Sequence, residues 1–282
     1  MLIRKTVAVC GAFACIASLS GESSGGYVEG GFQYSNFSGA HSLSSTAYAF
    51  KGKWSVGRDV MGGSYNGNLY GVDIQFGYKQ FFGKKERFGL RYYGAFSGQG
   101  GSFSGISLGG LGHSYVNQPS ANLFYGVGLD ALFNFYEKKN RTLGVFAGVM
   151  LGGSSWLMGK PSGNASCRWQ LEGTTNCVTM NQYFDKLIKN IDDSNATYRF
   201  SPTYVQFIIN MGFRTNFTKH QGFEFGIRIP TINDPYFTRT STATETSGCN
   251  HPTSYMCGGA GSKLAYTFRR NVSLYWNYVV NF

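Results

Sequence analysis

Charge is scarce in this chain of 282 residues: Asp, Glu, Lys and Arg make up 14% of it, against about 25% in an ordinary soluble domain. Proline is also rare, at 6 residues. No run of 18 or more apolar residues occurs, and a membrane-crossing helix needs roughly that length, so a helical span is set aside. Signatures of catalysis are missing too. There is no GxSxG, no HExxH and no phosphate-cradling glycine loop, and His41, His113, His220 and His251 fall in four separate connections. The sequence is read as a non-enzyme with no cofactor and no metal.

What is present is aromatic and glycine-rich: 17% Phe, Trp and Tyr, and 40 glycines. The last ten residues alternate, so that Leu274, Trp276, Tyr278, Val280 and Phe282 share one face of an extended chain. Such a face suits lipid, and a tilted strand of about 9–11 residues spans a bilayer. Lipid cannot satisfy an open sheet edge, so strands that cross it must close into a barrel.

Seven earlier segments alternate in the same way. They start near Val28, Tyr70, Phe88, Leu123, Leu143, Val205 and Phe223. In the second, Tyr70, Val72, Ile74, Phe76 and Tyr78 face one side and Asp73 and Gln75 the other. The eighth is long: Leu264, Tyr266 and Phe268 share parity with the terminal face, which predicts one continuous strand facing lipid throughout. The fold expected is a transmembrane antiparallel β-barrel of eight strands. Polar connections at 83–87, 137–141 and 218–221 are the short periplasmic turns; those near 38–67, 98–119, 157–200 and 231–261 are the long extracellular loops.

Residues 1–21, with Arg4 and Lys5 ahead of an apolar stretch and small residues, read as a signal peptide cut between Ser20 and Glu22, leaving the barrel as residues 22–282. The localisation expected is the bacterial outer membrane. The mature chain stays basic, and in that setting the counter-charge is anionic lipid headgroup and lipopolysaccharide phosphate, not nucleic acid. Four cysteines remain, in two close pairs. Cys167 with Cys177 and Cys249 with Cys257 are expected to form disulfides in an oxidising compartment. A zinc site is the rival, with neither pair at CxxC spacing and only His251 close to one of them.

The inward parity carries Glu29, Asp73, Asp130 and Glu224 against Lys79, Arg91, Arg214 and Arg228. A narrow lumen of low dielectric requires paired charges. Two readings follow: a salt-bridged core that fills the barrel, or a charged constriction that selects solutes. Tyr78, Phe81, Phe82, Phe135, Tyr136, Phe217, Trp276 and Phe282 form one expected girdle at the headgroup level. Trp156, Tyr204, Tyr266 and Phe268 form the other, with Arg269, Arg270, Lys263 and Arg199 beside it, either on lipopolysaccharide phosphates or solvated. Tyr183, Phe184, Leu187, Ile188 and Ile191 recur at helical spacing, which predicts a short amphipathic helix over 181–191. It either caps the mouth, presents a patch to a partner, or packs on its own loop.

Several runs carry a family resemblance. They are Gly30–Ser35 (GGFQYS), Asn68–Lys85 (NLYGVDIQFGYKQFFGKK), Phe88–Gly94 (FGLRYYG), Gly222–Asn233 (GFEFGIRIPTIN) and Asn277–Phe282 (NYVVNF). Together they resemble the Helicobacter outer membrane protein family, the Hop and Hor group. Tyr278, Val280 and Phe282 are similar to the signal read by the barrel-assembly machinery. Large members of that family are adhesins with a big domain between the first two strands, and the connection here is too short for one. Small members are porin-like or without assigned activity. The resemblance therefore implies a porin-like protein passing small solutes. The alternative is a surface adhesin or interaction protein that meets a host surface receptor through disulfide-closed loops.

Overall fold

The computed structural model of the chain describes residues 24–45, 59–83, 86–109, 112–138, 141–161, 169–171, 176–190, 195–242 and 261–282. The expected signal peptide, its cleavage point, and Cys167, Cys249 and Cys257 fall outside them. Among the described residues, ten strands and one helix are formed: β1 Gly25–Ser45, β2 Asp59–Phe82, β3 Phe88–Gly109, β4 Gly112–Lys138, β5 Arg141–Met158, α1 Met180–Asn190, β6 Ala196–Phe200, β7 Thr203–Asn216, β8 Gln221–Pro230, β9 Asp234–Ser241 and β10 Lys263–Asn281. The ring order is β1-β2-β3-β4-β5-β7-β8-β10, and β1 pairs antiparallel with β10 to close it. Eight strands make the wall. The backbone polar groups of the ring are thereby satisfied internally, which is what a membrane-embedded sheet requires.

Residues of one parity ring the outside. Val72 is 54% and Val127 65% exposed, and Ile74, Phe76, Leu129, Leu151, Val205 and Phe213 join them in an apolar band. Their alternating neighbours are buried in the lumen. At one end the connections are tight. Between β2 and β3, Gly83 sits at φ +77° and Glu86 at φ +45°, with the Glu86 N–H donating to the Gly83 carbonyl at 3.2 Å. Those left-handed φ values let the chain reverse within a few residues. The C-terminus is fastened at this end by the Phe282 N–H on the Gly26 carbonyl at 2.9 Å.

At the other end the strands run far beyond the band. Most of 38–67 and 98–119, expected as loops, is ladder: β1 and β2 pair as far as Ser45 and Asp59, and β3 and β4 as far as Gly109 and Gly112. Above the band the outer face is no longer apolar, so Ser, Gly and Asn runs that read as connections are strands with a solvated outside. The connection after β5 holds α1 and β6; the one after β8 holds β9. β8 stops at Pro230, which has no N–H to continue a ladder. From there upward β9 takes its place beside β10, and β6 lies beside β9.

β10 corrects one expectation. It is a single strand, but its parity inverts midway. Asn36 pairs with Val272 and Phe37 with Arg270, leaving Asn271 as an extra residue. This β-bulge flips the pleat. Below it Tyr275, Asn277 and Val279 point inward; above it Tyr266, Phe268 and Arg270 do. Trp156 and Tyr204 are interior as well, so the second girdle does not exist as expected: those rings line the mouth. Of the first girdle, Phe81 is also an inward, buried residue, while Tyr78, Phe82, Phe135, Tyr136, Phe217 and Phe282 are exposed on the outside.

Candidate functional site: the barrel lumen

Lys79, Arg91, Asp130, Asn210 and Arg228 lie on one continuous register across six strands, with Gly148 of β5 between Asp130 and Asn210. All five point inward and are almost fully buried. Arg91 is the centre. Its guanidinium donates to Glu224 Oε2 at 2.6 Å and to Asp130 Oδ2 at 2.7 and 3.1 Å, and stands 3.6 Å from Glu29 Oε2. One arginine therefore ties β3 to its neighbour β4 and to β8 on another part of the wall. Lys79 Nζ approaches Glu224 Oε1 at 3.8 Å and donates to Asn281 Oδ1 at 3.1 Å.

Rings wall this layer. Arg91 lies 4.7 Å from the Phe146 ring centre and 5.2 Å from that of Tyr93. Tyr93 donates to Asp130 Oδ1 at 3.2 Å. Asn210 donates to Asp130 and accepts from the Tyr275 hydroxyl. Two glycines make room for these rings. A Cβ on Gly128 would stand 2.3 Å from Tyr93, and one on Gly226 would stand 2.3 Å from Tyr275.

A second pair sits beside the first layer. Arg228 grips Asp73 through both guanidinium nitrogens, the longer contact at 3.0 Å, and lies 4.2 Å over the Tyr275 ring. Asn277 donates to Asp73 at 2.7 Å and to Glu29 at 3.1 Å, joining the two layers. Fork-shaped pairs of this kind give the strongest charge-assisted hydrogen bonds. Towards the short-turn end Arg214 donates to Asn134 at 2.5 Å and lies 5.2 Å from the Phe81 ring. All eight inward charges expected from parity are thus in the lumen. Seven meet in the two joined layers, and Arg214 lies towards the short-turn end.

Towards the long-loop end the lumen becomes aromatic. Phe37, Tyr65, Phe103, Trp156 and Phe268 fill it from the wall; Trp169, Met180 and Phe184 enter from the connection after β5. Phe184 stacks on Phe237 at 4.1 Å, and Trp156 lies 5.2 Å from Phe37. α1 therefore seats its apolar face in the mouth and also packs on Trp169 of its own loop. Its N-terminus is held by reciprocal bonds between Thr179 and Gln182, a capping box.

Two buried charges escaped the sequence reading. Arg270 is 1% exposed, with Gln99 Oε1 at 3.4 Å and the Phe124 ring at 5.7 Å. Asp234, at the start of β9 above the band, is fully buried, and neither of its carboxylate oxygens has a hydrogen-bond partner among the described residues. Burial pushes its carboxyl up to about 8. The inverted parity of β10 hid Arg270; no alternation marks Asp234. No cluster of His, Cys, Asp or Glu that would hold a metal occurs among the described residues. Chemically, the lumen offers paired charges and aromatic rings.

Among solved structures, the chain resembles the outer membrane protein OprG from Pseudomonas aeruginosa, at 9% identity and a TM-score of 0.48, covering 94% of this chain and 99% of that one. It also resembles the outer membrane protein AlkL, at 12% identity and a TM-score of 0.32, covering 95% of each. No curated protein matches it. Residues 73–282 match the family of Helicobacter outer membrane proteins, and the chain, an outer membrane β-barrel, belongs to that family.

Proposed function

We propose that the barrel is a closed membrane anchor whose long-loop end faces the cell exterior and acts as an interaction surface. One observation carries this reading: Arg91, held at 2.6–2.7 Å by Glu224 and Asp130, locks the lumen beneath an aromatic layer. An eight-stranded barrel encloses about the volume its own side chains need. Planar-bilayer recording of folded protein tests it. Silence across voltages and salts is expected; steady single-channel steps would overturn it.

A gated path for small solutes is the second reading, and a different observation favours it. Trp169, Met180 and Phe184 reach the mouth from the connection after β5, not from the wall. Displacing that segment would uncover the lumen with the ring intact. Deleting 169–190 should then create conductance in a silent barrel. The proposed disulfides, Cys167–Cys177 and Cys249–Cys257, would fix the same connections that form the interaction surface. Labelling thiols with and without reductant tests both pairings.

A further inference from the structure

Just above the apolar band, the outer wall changes chemistry on three adjacent strands. On β10, β1 and β2 the outward residues become Asn271, Asn36, Asn66 and Asn68, and they are bonded to one another. Asn271 donates to Asn36 Oδ1 at 2.7 Å, and Asn36 donates to Asn66 at 3.0 Å and Asn68 at 3.2 Å. Tyr34 closes the row from below, donating to Asn68 at 2.8 Å, and its ring lies 5.4 Å from that of Tyr70 in the band. The amide nitrogens of Asn66 and Asn68, both exposed, donate to no other described side chain. A connected row of primary amides beside tyrosine rings offers the donors, acceptors and flat apolar faces that sugar rings take up.

Charge on the same wall is one-sided. Arg199 on β6 and Lys263 and Arg269 on β10 are exposed, and Arg269 pairs with Ser38 in the β1–β10 register, next to the amide row. Among the residues of β6, β9, β10, β1 and β2 whose side chains are described, the carboxylates Asp234, Glu29 and Asp73 are all buried inside. Among the described side chains, the outward wall above the band is therefore cationic and polar with no opposing acid. A solvated surface needs no such segregation, and its position directly on the lipid-facing band selects a partner that is itself anchored in the bilayer.

We infer that this wall binds the phosphorylated saccharide headgroup of an outer-leaflet glycolipid, with sugar on the asparagine row and phosphate on Arg269. The inference rests on the proposed outward orientation of the long-loop end and names the partner of that surface. Each exposed cation near a membrane surface contributes a factor of about five in affinity, the equivalent of about 1 kcal/mol. The amide row adds selectivity for sugar over simple anionic lipid.

The test uses the full mature barrel, folded in detergent, and native mass spectrometry to count retained lipid. Lipid A, dephosphorylated lipid A and phosphatidylglycerol are offered at equal concentration. Lipid A should be retained in preference to both. Arg269→Gln should lower its retention about fivefold, and Asn36→Ala should abolish the preference over phosphatidylglycerol. Arg87→Gln with Arg141→Gln, at the short-turn end, should change neither. Equal retention of lipid A and phosphatidylglycerol by the unaltered protein, or unchanged retention in Arg269→Gln, overturns the inference. Orientation is read separately, by labelling Lys186→Cys on intact cells with an impermeant maleimide. Labelling without lipid A preference defeats the glycolipid site alone; absence of labelling defeats the orientation and the site with it. Free lipopolysaccharide sugar that competes as well as the whole lipid would point to a soluble glycan partner and also overturn the assignment.

Discussion

Replacing Arg91 by methionine removes one cation from among three carboxylates while keeping much of the side chain's volume. Glu224, Asp130 and Glu29 lie 2.6, 2.7 and 3.6 Å from its guanidinium, all buried. Lys79 remains as a neighbouring cation, at 3.8 Å from Glu224. Breaking a buried pair by removing one partner typically costs about 3–5 kcal/mol, because the other charge stays buried without compensation. With three acids left behind, R91M should sit at or above the top of that range at pH 7. Lysine at this position cannot fork between two acids, so R91K should fall between R91M and the parent. The assay is urea unfolding in lipid vesicles, read from the mobility of folded and unfolded forms on unheated gels. Two signatures separate electrostatics from lost packing. Adding Glu224→Gln to R91M should restore stability, although the same change alone destabilises the parent. Lowering the pH should narrow the gap between R91M and the parent, since protonation neutralises the orphaned acids. A deficit that is the same at pH 4.5 and pH 7.5, or no recovery in the double variant, would refute the reasoning.

Three further outcomes follow from other parts of the lumen. Asp234 has an ordinary carboxyl pKa of 3.8 and is raised to about 8 in the fold. Its protonated form is the one favoured by folding, so the stability it contributes is complete below about 4 and lost as the pH rises through about 8. Fluorescence of Trp156 and Trp169 should report loosening of the mouth between pH 6 and 9, and Asp234→Asn should flatten that dependence. Gly128→Ala places a methyl carbon 2.3 Å from Tyr93 and should lower urea stability by about 1–3 kcal/mol, the range for overpacking. Trp156→Ala empties the space between Phe37 and Phe268. It should cost about 3–5 kcal/mol and weaken the near-ultraviolet circular dichroism of the mouth more than the far-ultraviolet strand signal.

Within the bilayer the sequence was readable because lipid imposes one rule on every strand. Val72, Ile74 and Phe76 must face out, so Asp73 and Gln75 face in, and the lumen charges follow from counting by two. Beyond the band that rule lapses. Tyr65 and Phe103 turn inward with Asn66 and Ser104 outside, a pattern of polar outside and aromatic inside that alternation of hydrophobicity reads as loop. The Asn271 bulge was illegible for a related reason. Both halves of β10 alternate correctly, and only their pairing with β1 reveals the extra residue between Val272 and Arg270. The partners of the lumen charges were out of reach altogether. Arg91 with Glu224, and Arg228 with Asp73, meet across the barrel at sequence separations of 133 and 155 residues. Side-chain length and barrel diameter decide those contacts, and neither is written in periodicity.

The length of β3 and β4 has a consequence of its own. Among the described side chains of β3, Phe96 is the last large apolar one on the outside, and the paired ladder continues to Gly109. At about 3.3 Å per residue and a tilt of about 40°, that stretch climbs roughly 30 Å, comparable to the thickness of the hydrocarbon layer itself. The sheet thus stands up from its footing like a turret, stiffened by paired backbone. Whatever meets its rim does so one membrane's depth away from the lipid, at a height that a floppy tether would reach only part of the time.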